Sequence, residues 1–112
     1  MSLPYSPAIL KNNILFISGQ LGVNKNNELI SDDVLEQFKQ ALNNLEEILK
    51  EYNFEKKDIV KTTIYITDEN YFNIINQEFI NYFNEHKPTR TTIIVKALPK
   101  NAKVEIEAIA IK

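Results

Sequence analysis

The chain reads as an α+β protein, a mixed sheet with two helices packed on one face and elements in the order β-β-α-β-α-β-β. Three observations predict this. Two stretches, Ser31 to about Tyr52 and about Asp68 or Glu69 to Glu85, repeat apolar residues at three- and four-residue steps, the period of a helix with one buried face. Five shorter stretches are rich in β-branched or apolar residues and are bounded by asparagine, proline or glycine. The last of these separates into one apolar face and one mixed face, which calls for helices on one side only.

At 112 residues the chain suits one domain, residues 1–112, with no linker. Hydrophobic residues make up 44% and charged residues 25%, no apolar run is long enough to span a bilayer, and no cationic-then-apolar leader stands at the start. A soluble, cytoplasmic protein is expected. Cysteine is absent, which excludes disulfides, thiolate nucleophiles and cysteine metal sites, and the lone histidine, His86, cannot build a multi-histidine metal site. A net charge of −2 with scattered lysines argues against binding a phosphate backbone.

Pro4-Tyr5-Ser6-Pro7 is an extended opening segment, because its two prolines leave no room for a helix. Ala8–Leu10, the turn Lys11-Asn12-Asn13 and Ile14–Ile17 then read as a hairpin, with asparagines taking the left-handed geometry of a tight turn. Ser18-Gly19-Gln20-Leu21-Gly22-Val23 holds the only two glycines, which mark a bulge or a close backbone approach and expose the Ser18 hydroxyl. The first helix buries Val34, Leu35, Phe38, Leu42, Leu45, Ile48 and Leu49, has Asp33 with Glu36 as its capping pair and Ser31 or Asp32 as alternatives, and leaves through a left-handed Asn53.

Ile59–Ile66 is a strand whose set Val60, Thr62, Ile64 and Ile66 lies under the helices, with Ile59, Lys61, Thr63 and Tyr65 on the other side. The second helix turns Phe72, Ile75, Phe79 and Phe83 inward and ends at Pro88, with His86 favouring the negative end of its dipole. Thr91–Ala97 is a strand, Leu98–Asn101 a turn and Lys103–Ile111 the closing strand. In that strand Val104, Ile106, Ala108 and Ala110 share the core face, while Glu105, Glu107, Ile109 and Ile111 share the other. Carboxylates in such apolar company suggest a surface covered by another subunit.

Within Lys87-Pro88-Thr89-Arg90-Thr91-Thr92 the proline stops the helix and a β-branched run follows, which puts Arg90 at a helix-to-strand corner. A guanidinium held there offers a planar, permanently charged fork to a carboxylate. From position alone, pairing with one of the fifteen acidic side chains remains the ordinary reading, and binding of a small organic anion the functional one.

LPYSPA, FISGQLGV, NNLEEIL, DIVKTTIYITD and PTRTTIIVKALPKNAKVEIEAIAI, in this order and spacing, make the chain resemble the RidA/YjgF family of reactive intermediate deaminases along nearly its whole length. The resemblance implies a chorismate-mutase-like fold and a homotrimer whose sheets form a central barrel with the helices outside, ligand clefts lying between subunits. It implies hydrolysis of 2-imino or enamine acids, released by pyridoxal-phosphate enzymes, to 2-oxo acids and ammonia, without a cofactor. The arginine of the P-x-R motif falls on Arg90, which would grip the substrate carboxylate. Ser18 and Tyr5 would line the cleft, and Glu105 would position and activate water together with a backbone carbonyl near Thr92.

The chain departs from the family pattern at Leu3 and Pro7 in the opening motif, at Thr89 where alanine is usual, and at Thr92 where cysteine is frequent. A second reading is a non-catalytic ligand-binding or regulatory trimer of the same fold. A ribonuclease or translation-inhibitor role ranks third, for want of a basic concentration or a histidine pair. A chorismate mutase would need several cationic groups around its dicarboxylate, and Arg90 is the only arginine.

Overall fold

Residues 3–112 are described by a computed structural model of the chain; residues 1 and 2 of the expected 1–112 domain lie outside them. The elements are β1 (Ala8–Lys11), β2 (Ile14–Leu21), α1 (Val34–Glu51), β3 (Ile59–Ile66), α2 (Phe72–Phe83), β4 (Thr89–Ile94) and β5 (Val104–Ile111), in the expected order. They build one five-stranded sheet in the spatial order β1-β2-β5-β3-β4. Every pair is antiparallel except β3 and β4, whose parallel pairing requires the crossover that α2 supplies.

Asn12 and Asn13, both at positive φ, make the β1–β2 turn. It is one residue tighter than expected, since Lys11 already pairs with Ile14. Asp33 caps α1 by accepting from the Glu36 amide at 3.0 Å, and Asn53 leaves the helix at φ 64°. The helix begins at Val34, after Ser31, because the Ser31 hydroxyl accepts from the Asp33 amide and holds a turn there. Val34, Phe38, Leu42, Leu45 and Leu49 are buried as expected, joined by Ala41 and Gln37, while Leu35 and Ile48 flank the stripe half-buried. Gln37 is fully satisfied in the core. Its amide donates to the Ser31 carbonyl at 2.8 Å and its Oε1 accepts from the Lys103 amide at 2.8 Å, which delays β5 to Val104.

The second helix is shorter than its sequence pattern. Asp68 caps a single 3₁₀ turn over Glu69–Tyr71, and Asn84 at φ 57° ends α2 four residues before Pro88. Ile75, Phe79 and Phe83 face inward, whereas Phe72, at the first turn, stays exposed. In β3 the register against β5 shifts between Ile59 and Lys61, so one residue too many stands on that strand. This slip buries Ile59 and exposes Val60, the reverse of strict alternation, and restores Thr62, Ile64 and Ile66 to the core face. β4 covers Thr89–Ile94, not Thr91–Ala97. Thr89 is drawn in because its carbonyl accepts from the Thr62 hydroxyl at 2.9 Å while its own hydroxyl donates to the Val60 carbonyl at 3.0 Å. Arg90 is therefore the second residue of a strand and not a corner residue.

The core lies between the helices and one face of the sheet, where Leu15, Ile64, Ile66, Val104 and Ile106 meet Phe38, Leu42, Leu45, Leu49 and Ile75. Each such side chain contributes about 1.5–3 kcal/mol by leaving water. The other face has no cover among the described residues: Phe16, Ile93 and Ile111 stand exposed around the half-buried Glu105, Glu107 and Ile109. Among the described residues no helix is long and apolar enough to cross a membrane.

Candidate functional site

β2 does not pair evenly with β5. Its register shifts between Ile17 and Gln20, which makes a bulge of Ser18 and Gly19. Neither glycine has positive φ, so backbone freedom is not why they are there. Close approach is. A Cβ on Gly19 would stand 2.5 Å from Glu105 Oε2, and one on Gly22 would strike the Gln37 backbone. Gly22 lets the loop lie against α1, where Asn44 donates to the Leu21 and Val23 carbonyls at 3.0 and 2.9 Å. Gly19 lets the Glu105 carboxylate lie across β2.

Ser18 ties the opening segment to this bulge. Its hydroxyl donates to the Ser6 carbonyl at 2.7 Å and its amide to the Pro7 carbonyl at 2.9 Å. Tyr5 is thereby brought to the rim. Tyr5, Ser18, Gly19 and Glu105 together line a hollow of about 270 Å³, closed by Pro99 and Lys100 of the turn before β5 and by Ile48 of α1. Leu3 and Pro7, two of the departures from the family motif, are in its wall. Burial, and second the charge of Glu107, push the Glu105 carboxyl above its ordinary value. A half-buried carboxylate with raised proton affinity in a hollow has the character of a general base.

Arg90 and Thr92 are elsewhere. They pair with Thr62 and Ile64 of β3, and since paired residues share a face, both point to the helix side. Glu105, out of phase with the buried Val104 and Ile106, points to the open side. The guanidinium lies 5.0 Å from the Phe79 ring centroid and 5.6 Å from that of Phe72, and donates to Asn76 Oδ1 at 2.5 Å. Burial lowers the Arg90 pKa from its ordinary value, yet a guanidinium stays charged at any working pH. Among the described residues no carboxylate lies within ion-pair distance of it, so the ordinary reading of Arg90 as a structural ion pair does not hold. The Thr92 hydroxyl is buried without a partner among the described residues.

The expected site residues thus fall in two places: Tyr5, Ser18 and Glu105 at the hollow, Arg90 and Thr92 on edge strand β4. Sequence reading missed Asn76 and read Phe72 and Phe79 as core alone. The signal was present, because Asn76 stands four residues after Phe72 and three before Phe79, a polar side chain inside an apolar helical stripe. Among the described residues no group of three or more His, Cys, Asp or Glu side chains is arranged to hold a metal ion.

The fold and this polar hollow define a RidA-like α+β protein. A Rid-family protein of Yersinia pestis is 42% identical, with a TM-score of 0.94 over 97% of this chain and 88% of that one. TdcF of E. coli, solved with bound serine, is 36% identical, with a TM-score of 0.91 over 100% and 91% of the two chains. Human 2-iminobutanoate/2-iminopropanoate deaminase is 43% identical over 110 residues, 97% of this chain and 80% of that protein. The family model described as Endoribonuclease L-PSP matches residues 1–112, and the chain belongs to that family, the RidA/YjgF family of its sequence motifs.

Proposed function

We propose that this protein is an imine deaminase, hydrolysing 2-imino and enamine acids to 2-oxo acids and ammonia in clefts between the copies of a homotrimer. The observation that carries the reading is Arg90: a partly desolvated cation on an aromatic floor, oriented by Asn76 and with no acid among the described residues to neutralise it. A substrate carboxylate supplies the missing partner. The relatives named 2-iminobutanoate/2-iminopropanoate deaminase, at 41–43% identity, support the same substrate class.

The chemistry asks little beyond placement. With the carboxylate on Arg90, the imine carbon is held beside Glu105, which takes a proton as water adds across C=N. The nitrogen, already protonated as an iminium, takes the C=N electron pair, giving a neutral carbinolamine. Glu105 returns its proton to that nitrogen, the C–N bond breaks with its electron pair leaving on ammonia, and Glu105 takes the hydroxyl proton as the oxygen becomes the 2-oxo group, passing it to the departing ammonia. An enamine enters after tautomerising to the imine. The carbonyl near Thr92 and the hydroxyls of Ser18 and Tyr5 hold the water and the leaving nitrogen. Because Arg90 and Glu105 occupy opposite faces of one sheet, a second copy brings them together, and the exposed Phe16, Ile93 and Ile111 are the surface that trimer formation covers.

The family description carries the word endoribonuclease. Neither the net charge of −2 nor the one histidine, exposed beyond the end of α2, supports phosphodiester cleavage. Serine bound to the E. coli relative favours, as a second reading, a trimer that binds amino or oxo acids without turnover. The deciding experiment adds the protein to an amino-acid oxidase that generates the imine and follows 2-oxo acid release. Acceleration by native protein and none by a trimeric Arg90→Ala variant supports the deaminase. Binding of 2-oxobutanoate without acceleration supports the second reading.

A further inference from the structure

β5 carries two carboxylates on its open face, Glu105 and Glu107, with Cα atoms roughly 7 Å apart at the rise of a strand. The register against β3 sets Tyr65 directly opposite Glu105 and Thr63 opposite Glu107. A tyrosine there has both carboxylates within reach, the one directly opposite and the one on the diagonal. Tyr65 passes the first by and reaches along the diagonal, donating its hydroxyl to Glu107 Oε1 at 2.8 Å. Glu105 is left to lie over Gly19, in the hollow closed by Pro99 and Lys100, while Glu107 lines the adjoining hollow on the other side of Tyr5, Ser18 and Gly19.

We propose that Tyr65 and Glu107 are a positioning pair that fixes the second carboxylate of β5 away from the hollow, leaving Glu105 there alone and ready to accept a proton. The proposal rests on the reading of Glu105 as the group that handles water. Two carboxylates this close compete: an unrestrained Glu107 can share one proton with Glu105 or swing toward the same substrate. A hydrogen bond donated to Glu107 stabilises its charged form and holds it in place. The phenol remains a donor, since that same bond to Glu107, and then burial, raise its pKa above the ordinary value.

Held still, the Glu107 charge reinforces the effect of burial on Glu105. The other ionisable groups facing Glu105 are Lys100 from the turn before β5 and Tyr5 from the opening segment. β2 contributes Ser18, Gly19, Gln20 and Leu21, none of which titrates. On β3, Lys61 is engaged with the Thr63 hydroxyl at 3.3 Å, on the Glu107 side.

The experiment measures kcat for imine hydrolysis against pH in the native protein and in Glu105→Gln, Glu107→Gln and Tyr65→Phe. Glu107→Gln keeps an oxygen for Tyr65 to donate to but removes the charge, so the acidic limb moves to lower pH. Tyr65→Phe keeps the charge and removes the tether, so the plateau kcat falls roughly tenfold while KM holds. An unmoved limb in the first or an unchanged plateau in the second overturns the proposal. Native activity in Glu105→Gln instead overturns the reading of Glu105 on which it rests. Should Tyr65→Phe fold poorly, the carboxyl 13C shift of Glu105, titrated without substrate in native protein and Glu107→Gln, decides between the same alternatives: a lower midpoint in the variant supports the pair, and an identical one overturns it.

Discussion

Gly19→Ala separates the chemistry of this site from its stability. The added methyl would stand 2.5 Å from Oε2, 2.8 Å from Cδ and 3.1 Å from Cγ of Glu105, all atoms of one flexible side chain. Glu105 yields by leaving its rotamer, at about 0.5–1.5 kcal/mol. Against this, alanine restricts the unfolded chain by about 0.4–1 kcal/mol, and the negative φ of Gly19 imposes no backbone strain. Stability therefore stays within about 1 kcal/mol of native. Activity does not, because a carboxylate displaced by about 1 Å costs on the order of a hundredfold in kcat. Gly22→Ala is the contrasting case: its methyl meets the Gln37 backbone, so α1 itself has to move, at about 1–3 kcal/mol or more. Denaturant midpoints and imine-hydrolysis rates read the two effects. Native turnover in Gly19→Ala, with the protein intact, would refute the placement of Glu105 as the basis of the chemistry.

The raised pKa of Glu105 has two consequences of definite sign. On the proposed mechanism, in which deprotonated Glu105 takes a proton from water, the acidic limb of kcat lies above the ordinary glutamate range, and Glu105→Gln abolishes the limb together with the rate. Because the folded protein holds that proton more tightly than the unfolded chain, Glu105 favours folding below the ordinary range and loses this contribution as pH rises through its raised value. The Tm difference between native protein and Glu105→Gln, followed across that window, checks the second. Asn76→Ala removes the acceptor that orients Arg90, and kcat/KM falls by about ten- to a hundredfold, the worth of a hydrogen bond to a charged group. Asn76→Asp is worse, since a carboxylate there neutralises Arg90 and competes with substrate.

The chain's alternation and helical period were enough to read the order of elements, the helix-covered face of β5 and the caps at Asp33 and Asn53. They misled where an interaction outside the local pattern decided the outcome. Val60 faces out because a bulge, set by pairing with β5, adds one residue to β3. Thr89 joins β4 because two hydroxyl–carbonyl bonds across to β3 hold it there. Glycine at 19 pointed to a close approach, but only the folded register reveals that Glu105 makes it, eighty-six positions along the chain. Tyr65 pairing with Glu107 and not with Glu105 was illegible for the same reason, since register places both acids within its reach.

Arg90 and Glu105 point from opposite faces of one sheet, and this geometry makes a prediction independent of any picture of the assembled oligomer. If both belonged to one active site within a single copy, Arg90→Ala and Glu105→Gln would each be dead and a mixture of them equally dead. If each cleft takes Arg90 from one copy and Glu105 from its neighbour, a mixed assembly contains clefts in which both residues are native. For copies distributed at random in equal amounts in a closed ring, about a quarter of the clefts meet that condition. Denaturing the two variants together, refolding the mixture and assaying imine hydrolysis should therefore recover about a quarter of native activity, whereas mixing them folded, without exchange, recovers none until subunits trade places. Recovery that tracks exchange ties the two half-sites together across an interface. Complete silence from an exchanged mixture that still binds 2-oxobutanoate would mean that no cleft takes Arg90 from one copy and Glu105 from its neighbour.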